Sequence, residues 1–323
     1  MRQIHRFGAS MIVALLACSS AFGAGDIVVP TVFEEGRIFA VPRLQNGASM
    51  RLLVDTGGGG TFQLPWIPKA EPARLGLSQH RCDLAGRLVD VVDWPMFKPG
   101  EALPAPIGQC QGMHSYDAPG ATEGQLGSTY LAGRIWTVDY PAQTLTLRGP
   151  EYVPGSGARA APLGWPGTAV NSFPRVTVTI DAAPVDMLLD TGATGRPTKQ
   201  SIAITGAATI DSRNAASYIV TSVLERWKRR HPDWPVIDIG DDIFGPLNVM
   251  RMIRVPAVTI AGISTGPVWF TERPDTNFHD ALSPYMDKTV DGAIGGNLLR
   301  SFVMTIDYPQ RKVWFVCKTN CKG

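Results

Sequence analysis

The chain of 323 residues has no apolar run that reaches the ~20 residues a membrane-spanning helix needs; its clearest one, Met11 to Ala17, is far too short. Histidine is scarce, five in all, and no two share metal-ligand spacing; His80 near Cys82 and His279 beside Asp280 read as surface or structural residues. The terminal Cys317-x-x-x-Cys321 lacks a second ligand pair nearby, which argues against zinc. There is no Gly-x-Ser-x-Gly elbow for a serine nucleophile. The glycine run Gly57–Gly60 is followed by neither Lys-Ser nor Lys-Thr and by no helical pattern, so it is not a phosphate loop. A surplus of charge is also missing. Lys and Arg number 30 against 28 Asp and Glu, and two of the 30, Arg2 and Arg6, fall in the first 23 residues, which hold no acidic residue. The remainder is formally neutral, whereas a nucleic-acid or anionic-membrane partner would call for a basic excess.

What is present begins with a targeting pattern. Arg2, His5 and Arg6 precede the Met11–Ala17 run and a small-residue site at Ala21-Phe22-Gly23, so residues 1–23 are expected to be a signal peptide and the chain to be exported, periplasmic or secreted. Leu15-Leu16-Ala17-Cys18 resembles a lipobox, with Leu16 unusual for its position, and offers a lipid anchor on Cys18 as the alternative. The remaining ~300 residues suit two lobes of ordinary size.

The two halves share an order of signals. Asp55-Thr56-Gly57 and Asp190-Thr191-Gly192 each end an apolar strand, Arg51–Val54 and Met187–Leu189. Upstream of the first lie Ile38–Val41 and a turn at Asn46-Gly47; upstream of the second lie Val176–Ile180 and a turn near Asp181–Pro184. Downstream, Gly124-Gln125-Leu126-Gly127 matches Gly292-Ala293-Ile294-Gly295. Asp139-Tyr140-Pro141 then matches Asp307-Tyr308-Pro309, each followed by a return strand. Gly149 to Gly167, rich in Gly, Pro and Ala, reads as the connection, which divides the chain into lobes 24–150 and 151–323. A helix is expected over roughly Asn214–Arg230, with Ala216, Ile219, Val220, Val223 and Trp227 as its apolar stripe. Its Arg226, Lys228, Arg229 and Arg230 complement the carbonyl end. Four cysteines remain after residue 23, an even count that favours disulfides in an exported chain; of three possible pairings, Cys82–Cys110 and Cys317–Cys321 keep each bridge within one lobe.

A carboxylate at a turn needs a glycine after it so that backbone N–H groups reach its oxygens, and Gly57 and Gly192 supply that. Thr56 and Thr191 can hydrogen-bond across a lobe interface. If a pseudo-twofold axis relates the lobes, Asp55 and Asp190 face one another, share a proton and titrate as a pair. The charged member can then take a proton from water while the protonated one polarises a carbonyl, with no covalent intermediate and no cofactor or metal.

With these residues the chain resembles an aspartic protease, compact retropepsin-like lobes fused into one pepsin-like pseudo-dimer over most of residues 35–316. Ala293-Ile294-Gly295-Gly296-Asn297-Leu298-Leu299 is similar to the family's two-apolar-then-glycine segment and following helix, and Leu126-Gly127 is its weaker first-lobe counterpart. The resemblance implies a mostly β fold of two closed barrel-type lobes related by a pseudo-twofold, with one added helix in lobe two. It also implies catalysis by Asp55 and Asp190 at a site shaped by Thr56, Gly57, Thr191, Gly192 and Ala193. The substrate would be polypeptide, without nucleic acid, cut by a monomer whose pair is internal, at acidic to mildly acidic pH. The first turn departs from the pattern: Gly58 stands where the family has Ser, Thr or Ala, so Asp55 is without the outer support those residues give. That departure motivates the rival expectation, a catalytically silent two-lobed protein that binds a peptide or envelope partner in its cleft. Lid candidates fall within residues 84–108 and 236–272; within the latter, Val258–Phe270 reads as core sheet of lobe two.

Overall fold

The computed structural model describes residues 25–59, 64–84, 86–118, 121–167, 172–206 and 213–322; the expected signal peptide, Cys18 and Gly60 lie outside the described residues. The alternating Val-Thr-Val-Thr-Ile at 176–180 forms the strand Arg175–Ile180, with Val176, Val178 and Ile180 buried and Thr177 and Thr179 exposed. It turns through Asp181 and Ala182, both left-handed, into Ala183–Leu189. Glu35 and Gly36 join Thr31–Glu34 to Arg37–Ala40 in the same way. Positive φ at both turn residues gives a hairpin the twist its strands need.

Two sheets grow outward from these hairpins in the same order. In the first, Arg37–Ala40 is followed in space by Leu52–Val54, Gly124–Leu126, Trp66–Pro68, Gly112–Tyr116, Arg87–Asp93 and Gln79–Leu84. In the second, Arg175–Ile180 is followed by Ala183–Leu189, Gly292–Ile294, Tyr218–Val220, Val268–Arg273, Met250–Val255 and Val236–Asp241. The senses match as well: Leu52–Val54 runs parallel to Gly124–Leu126 as Ala183–Leu189 does to Gly292–Ile294, and the strand beyond is antiparallel in both. The molecule is therefore two-lobed and mostly β, and the repeated motifs mark a repeated topology.

A third sheet belongs to both lobes. Its order is Ile27–Val29, Thr144–Arg148, Ile135–Asp139, Phe302–Asp307, Lys312–Cys317, Arg159–Pro162. The central pair is antiparallel and sets Thr137 opposite Thr305, whose hydroxyls hydrogen-bond at 2.8 Å. The two Asp-Tyr-Pro segments follow these strands, and each aspartate caps its own turn, Asp139 accepting from the Ala142 N–H and Asp307 from the Gln310 N–H, both at 2.9 Å. The apolar core is continuous across the lobes, from Leu52 and Leu126 through Trp136 to Leu189, Ile294 and Phe315.

Two expectations are corrected. The lobes are open sheets, because among the described residues the outer strands Gln79–Leu84 and Val236–Asp241 find no partner strand that would close a barrel. The helix of lobe two begins at Thr221 and ends at Arg230. Its expected first turns are instead the strands Asn214–Ala215 and Tyr218–Val220, the latter hydrogen-bonded on both sides, so strand pairing overrides a spacing that also fits a helix. Lobe one carries five helical residues at the corresponding place, Glu71–Leu75. Within the connection, Arg159–Pro162 forms the edge of the shared sheet.

Disulfides join Cys82 to Cys110 and Cys317 to Cys321. Val258, Ile260, Val268 and Phe270 are buried in the second sheet, as expected for core. Among the described residues no helix is long and apolar enough to cross a membrane.

Candidate active site

Each Asp-Thr-Gly turn is delivered by a pair of parallel strands. Val54 lies beside Leu126 and Leu189 beside Ile294, and the ladder continues one step further, Asp55 N–H to the Leu126 carbonyl and Asp190 N–H to the Ile294 carbonyl, both at 3.0 Å. The downstream segments Gln125-Leu126-Gly127 and Ala293-Ile294-Gly295 are thus the rails on which the turns rest. The second rail is also tied sideways: Ser217 Oγ accepts from the Gly295 N–H at 3.0 Å and donates to Asn297 Oδ1 at 2.6 Å, while Asn297 Nδ2 reaches the Trp269 carbonyl at 2.9 Å.

The threonines lock the turns together reciprocally. Thr56 Oγ1 donates to the Leu189 carbonyl at 2.5 Å and accepts from the Thr191 N–H at 3.0 Å. Thr191 Oγ1 donates to the Val54 carbonyl at 2.7 Å and accepts from the Thr56 N–H at 3.1 Å. Both side chains are buried, so each bond satisfies a polar group that would otherwise be stranded.

Asp55 and Asp190 are brought together by this lock and hydrogen-bond each other. Gly57 N–H donates to Asp55 Oδ1 at 2.9 Å, and Gly192 N–H to Asp190 Oδ1 at 3.0 Å. The glycines are dictated by the opposite carboxyl: a Cβ on Gly57 would sit 2.6 Å from Asp190 Oδ2, and one on Gly192 would sit 2.5 Å from Asp55 Oδ2. Burial raises both carboxyls above the usual range. Asp190 is raised well above it, by burial first and then by the charge of Asp55. On Asp55 the rise is opposed by hydrogen bonds from Asp190, Gly57, Gln125 and Gly58. The arrangement favours one shared proton held mainly by Asp190.

Gly58 is closed in by a neighbour the sequence did not assign. Gln125 Nε2 donates to Asp55 Oδ2 at 2.5 Å, and a Cβ at Gly58 would fall on both groups. Ala193, at the same step of the second turn, is buried and carries a methyl where the first turn has none.

No family model and no curated protein matches the sequence. Solved structures similar to it include the aspartic proteinase from Irpex lacteus, with 12% identity and a TM-score of 0.46 over 92% of this chain and 98% of that one. Another is basic 7S globulin from soybean, with 13% identity and a TM-score of 0.44 over 91% of this chain and 95% of that one.

Beside Asp190 opens a cavity of about 460 Å³ lined by Tyr218, Phe244, Arg273, Phe278 and Leu282. Tyr218 OH binds both the N–H and the carbonyl of Thr194, at 2.7 and 2.6 Å, and the Arg273 guanidinium stacks 4.2 Å over its ring. No sequence signal marked these residues, because they converge from two strands, a helix and two turns and share no local motif.

The first expected lid region contains part of an edge hairpin, Gln79–Leu84 with Arg87–Asp93, and the second contains all of another, Val236–Asp241 with Met250–Val255. His80 and His279 face Asp93 and Asp291 at 2.9 and 3.0 Å, and Arg230 faces Asp181 at 2.9 Å. Among the described residues no cluster of three His, Cys, Asp or Glu side chains is placed to hold a metal.

Proposed function

We propose that the chain is an exported aspartic endopeptidase, acting as a monomer whose two lobes, 24–150 and 151–323, supply one aspartate each. The reading rests on one observation above all: two buried carboxyls that share a hydrogen bond, each at the tip of a turn interlocked with the other through its threonine. Asp55, ionised, takes a proton from a water in the cleft as the water oxygen bonds to the peptide carbonyl carbon. Asp190, protonated, hydrogen-bonds the carbonyl oxygen and supports the charge that develops there. Collapse of the tetrahedral species breaks the C–N bond, and a proton passes to the leaving nitrogen, so that carboxylic acid and amine depart without a covalent intermediate. Thr56, Gly57, Thr191, Gly192 and Ala193 shape the site. The cavity beside Asp190, with Ile243, Phe244, Phe278 and Leu282 in its wall, suits an apolar side chain of the polypeptide substrate. The two disulfides fit an oxidising compartment.

Incubating the protein from residue 24 onward with a diverse peptide mixture between about pH 3 and pH 7, beside Asp55→Asn and Asp190→Asn, tests the reading. Mass spectrometry is expected to show wild-type cleavage that either substitution abolishes. Three folded proteins with no cleavage would overturn it in favour of a silent peptide-binding protein.

A further inference from the structure

We infer that Gln125 is a positioning residue: reaching over from the strand beside the first turn, its amide holds the outer oxygen of Asp55 and makes two otherwise equivalent aspartates unequal. The inference deepens the paired-aspartate reading, and its principal test does not depend on peptide cleavage.

The amide's orientation is fixed by its other end. Trp66 Nε1 donates to Gln125 Oε1 at 2.7 Å, and an indole N–H can only donate, so the carbonyl end must face Trp66 and the NH2 end must face Asp55 Oδ2, 2.5 Å away. Gln125 pairs with Leu53 on the parallel strand, and the residue in the same register of lobe two, opposite Leu188, is Ala293. Ala293 has no polar side-chain group, and among the described residues Asp190 receives no counterpart of this bond. The backbone bonds are otherwise symmetric, Gly57 and Gly192 each on the near oxygen of their own aspartate.

Gly58 belongs to the same device. A Cβ there would strike both the Gln125 amide nitrogen and the Asp55 carboxyl, while lobe two keeps Ala193 at the corresponding step. Glycine in the turn and glutamine on the rail are therefore two halves of one exchange: Gly58 offers Asp55 no side chain, and the space it leaves admits a donor from a residue 70 positions away from the aspartate. Asp190 is the titratable side chain that Asp55 faces. Tyr140 and Tyr218, within electrostatic range of Asp190, are kept neutral by burial.

A hydrogen bond to the charged form favours that form, so removing it makes Asp55 a weaker acid. The experiment isolates Asp55 from its partner by working in Asp190→Asn, where the pair no longer titrates jointly. Protein labelled with 13C at aspartate carboxyl carbons is titrated by NMR with and without Gln125→Met, which keeps the length of the side chain and removes both donors. Asp55 is expected to titrate about one unit higher when Gln125 is replaced. Trp66→Phe, which frees the amide but leaves it in place, is expected to give a smaller shift in the same direction and serves if Gln125→Met does not fold. An Asp55 midpoint unchanged in the folded variants would overturn the inference. In the wild-type background, the acidic limb of the cleavage profile should move up with Gln125→Met. Absence of cleavage throughout, with the NMR shift present, would sink the protease reading and leave the role of Gln125 standing.

Discussion

At the scale of single residues, the site is defined by where a side chain is forbidden. Gly57 and Gly192 each accommodate the opposing carboxyl in the space a Cβ would take. Gly57→Ala must displace Asp190 or the turn itself, and a misplacement of about 1 Å at reacting groups costs on the order of 100-fold in rate. On the proposed protease reading, kcat/KM is therefore expected to fall by at least about 100-fold with the circular dichroism spectrum retained; a variant within a few-fold of wild type would show that the carboxyls have slack the packing does not reveal. The aspartates, threonines and glycines were legible because the chemistry of a carboxylate turn is written in three consecutive letters, twice. Gln125 was visible only as part of a flanking match. Its bond to Asp55 depends on the parallel register that sets it beside Leu53, and register between distant strands has no local signature.

At the scale of elements, the helix and the hairpins teach opposite lessons. Ala216, Ile219 and Val220 carry a spacing that a helix and a strand both satisfy, and the choice falls to partners far away in sequence, Val268–Arg273 and Gly292–Ile294. Val223 and Trp227 lie beyond that ambiguity and are buried on the helix, Trp227 against Phe270 and Trp234. The outer hairpin of lobe one depends on a covalent tie. Cys82 sits on its edge strand and is bridged to Cys110, 28 residues on, whereas Cys317 and Cys321 are only 4 apart. In the chain-entropy picture the longer loop contributes about 3.6 kcal/mol and the shorter about 2. Urea unfolding of Cys82→Ser/Cys110→Ser should show the larger loss, and the reverse order would point to a rigid unfolded state around Cys82.

At the scale of the whole molecule, the buried pair sets a cost on neutrality of pH. Burial and the charge of Asp55 raise the folded pKa of Asp190 above its unfolded value. Its contribution to stability is therefore complete below the unfolded pKa and is lost as pH rises through the folded one. Asp190→Asn has no proton to lose. Its melting temperature relative to wild type should climb steadily from about pH 3.5 to pH 7 by calorimetry. Carboxylates held low by arginines, such as Asp287 by Arg175, are common to both proteins and drop out of the difference. A gap that narrows with rising pH would mean that Asp190 is not the carboxyl that burial protonates. The duplication behind this pair was readable from two Asp-Tyr-Pro segments with their return strands. Whether the sheets close into barrels was not, because closure depends on what the outermost strands meet rather than on their own alternation.

The sheet common to both lobes also bears on assembly. Each half contributes three adjacent strands to it, and the seam between them is one antiparallel ladder centred on Thr137 and Thr305. That ladder is indifferent to whether its two strands come from one molecule. When many chains refold in a small volume, the first half of one copy can zip onto the second half of another, so exchanged dimers with two complete clefts are the natural by-product of this architecture.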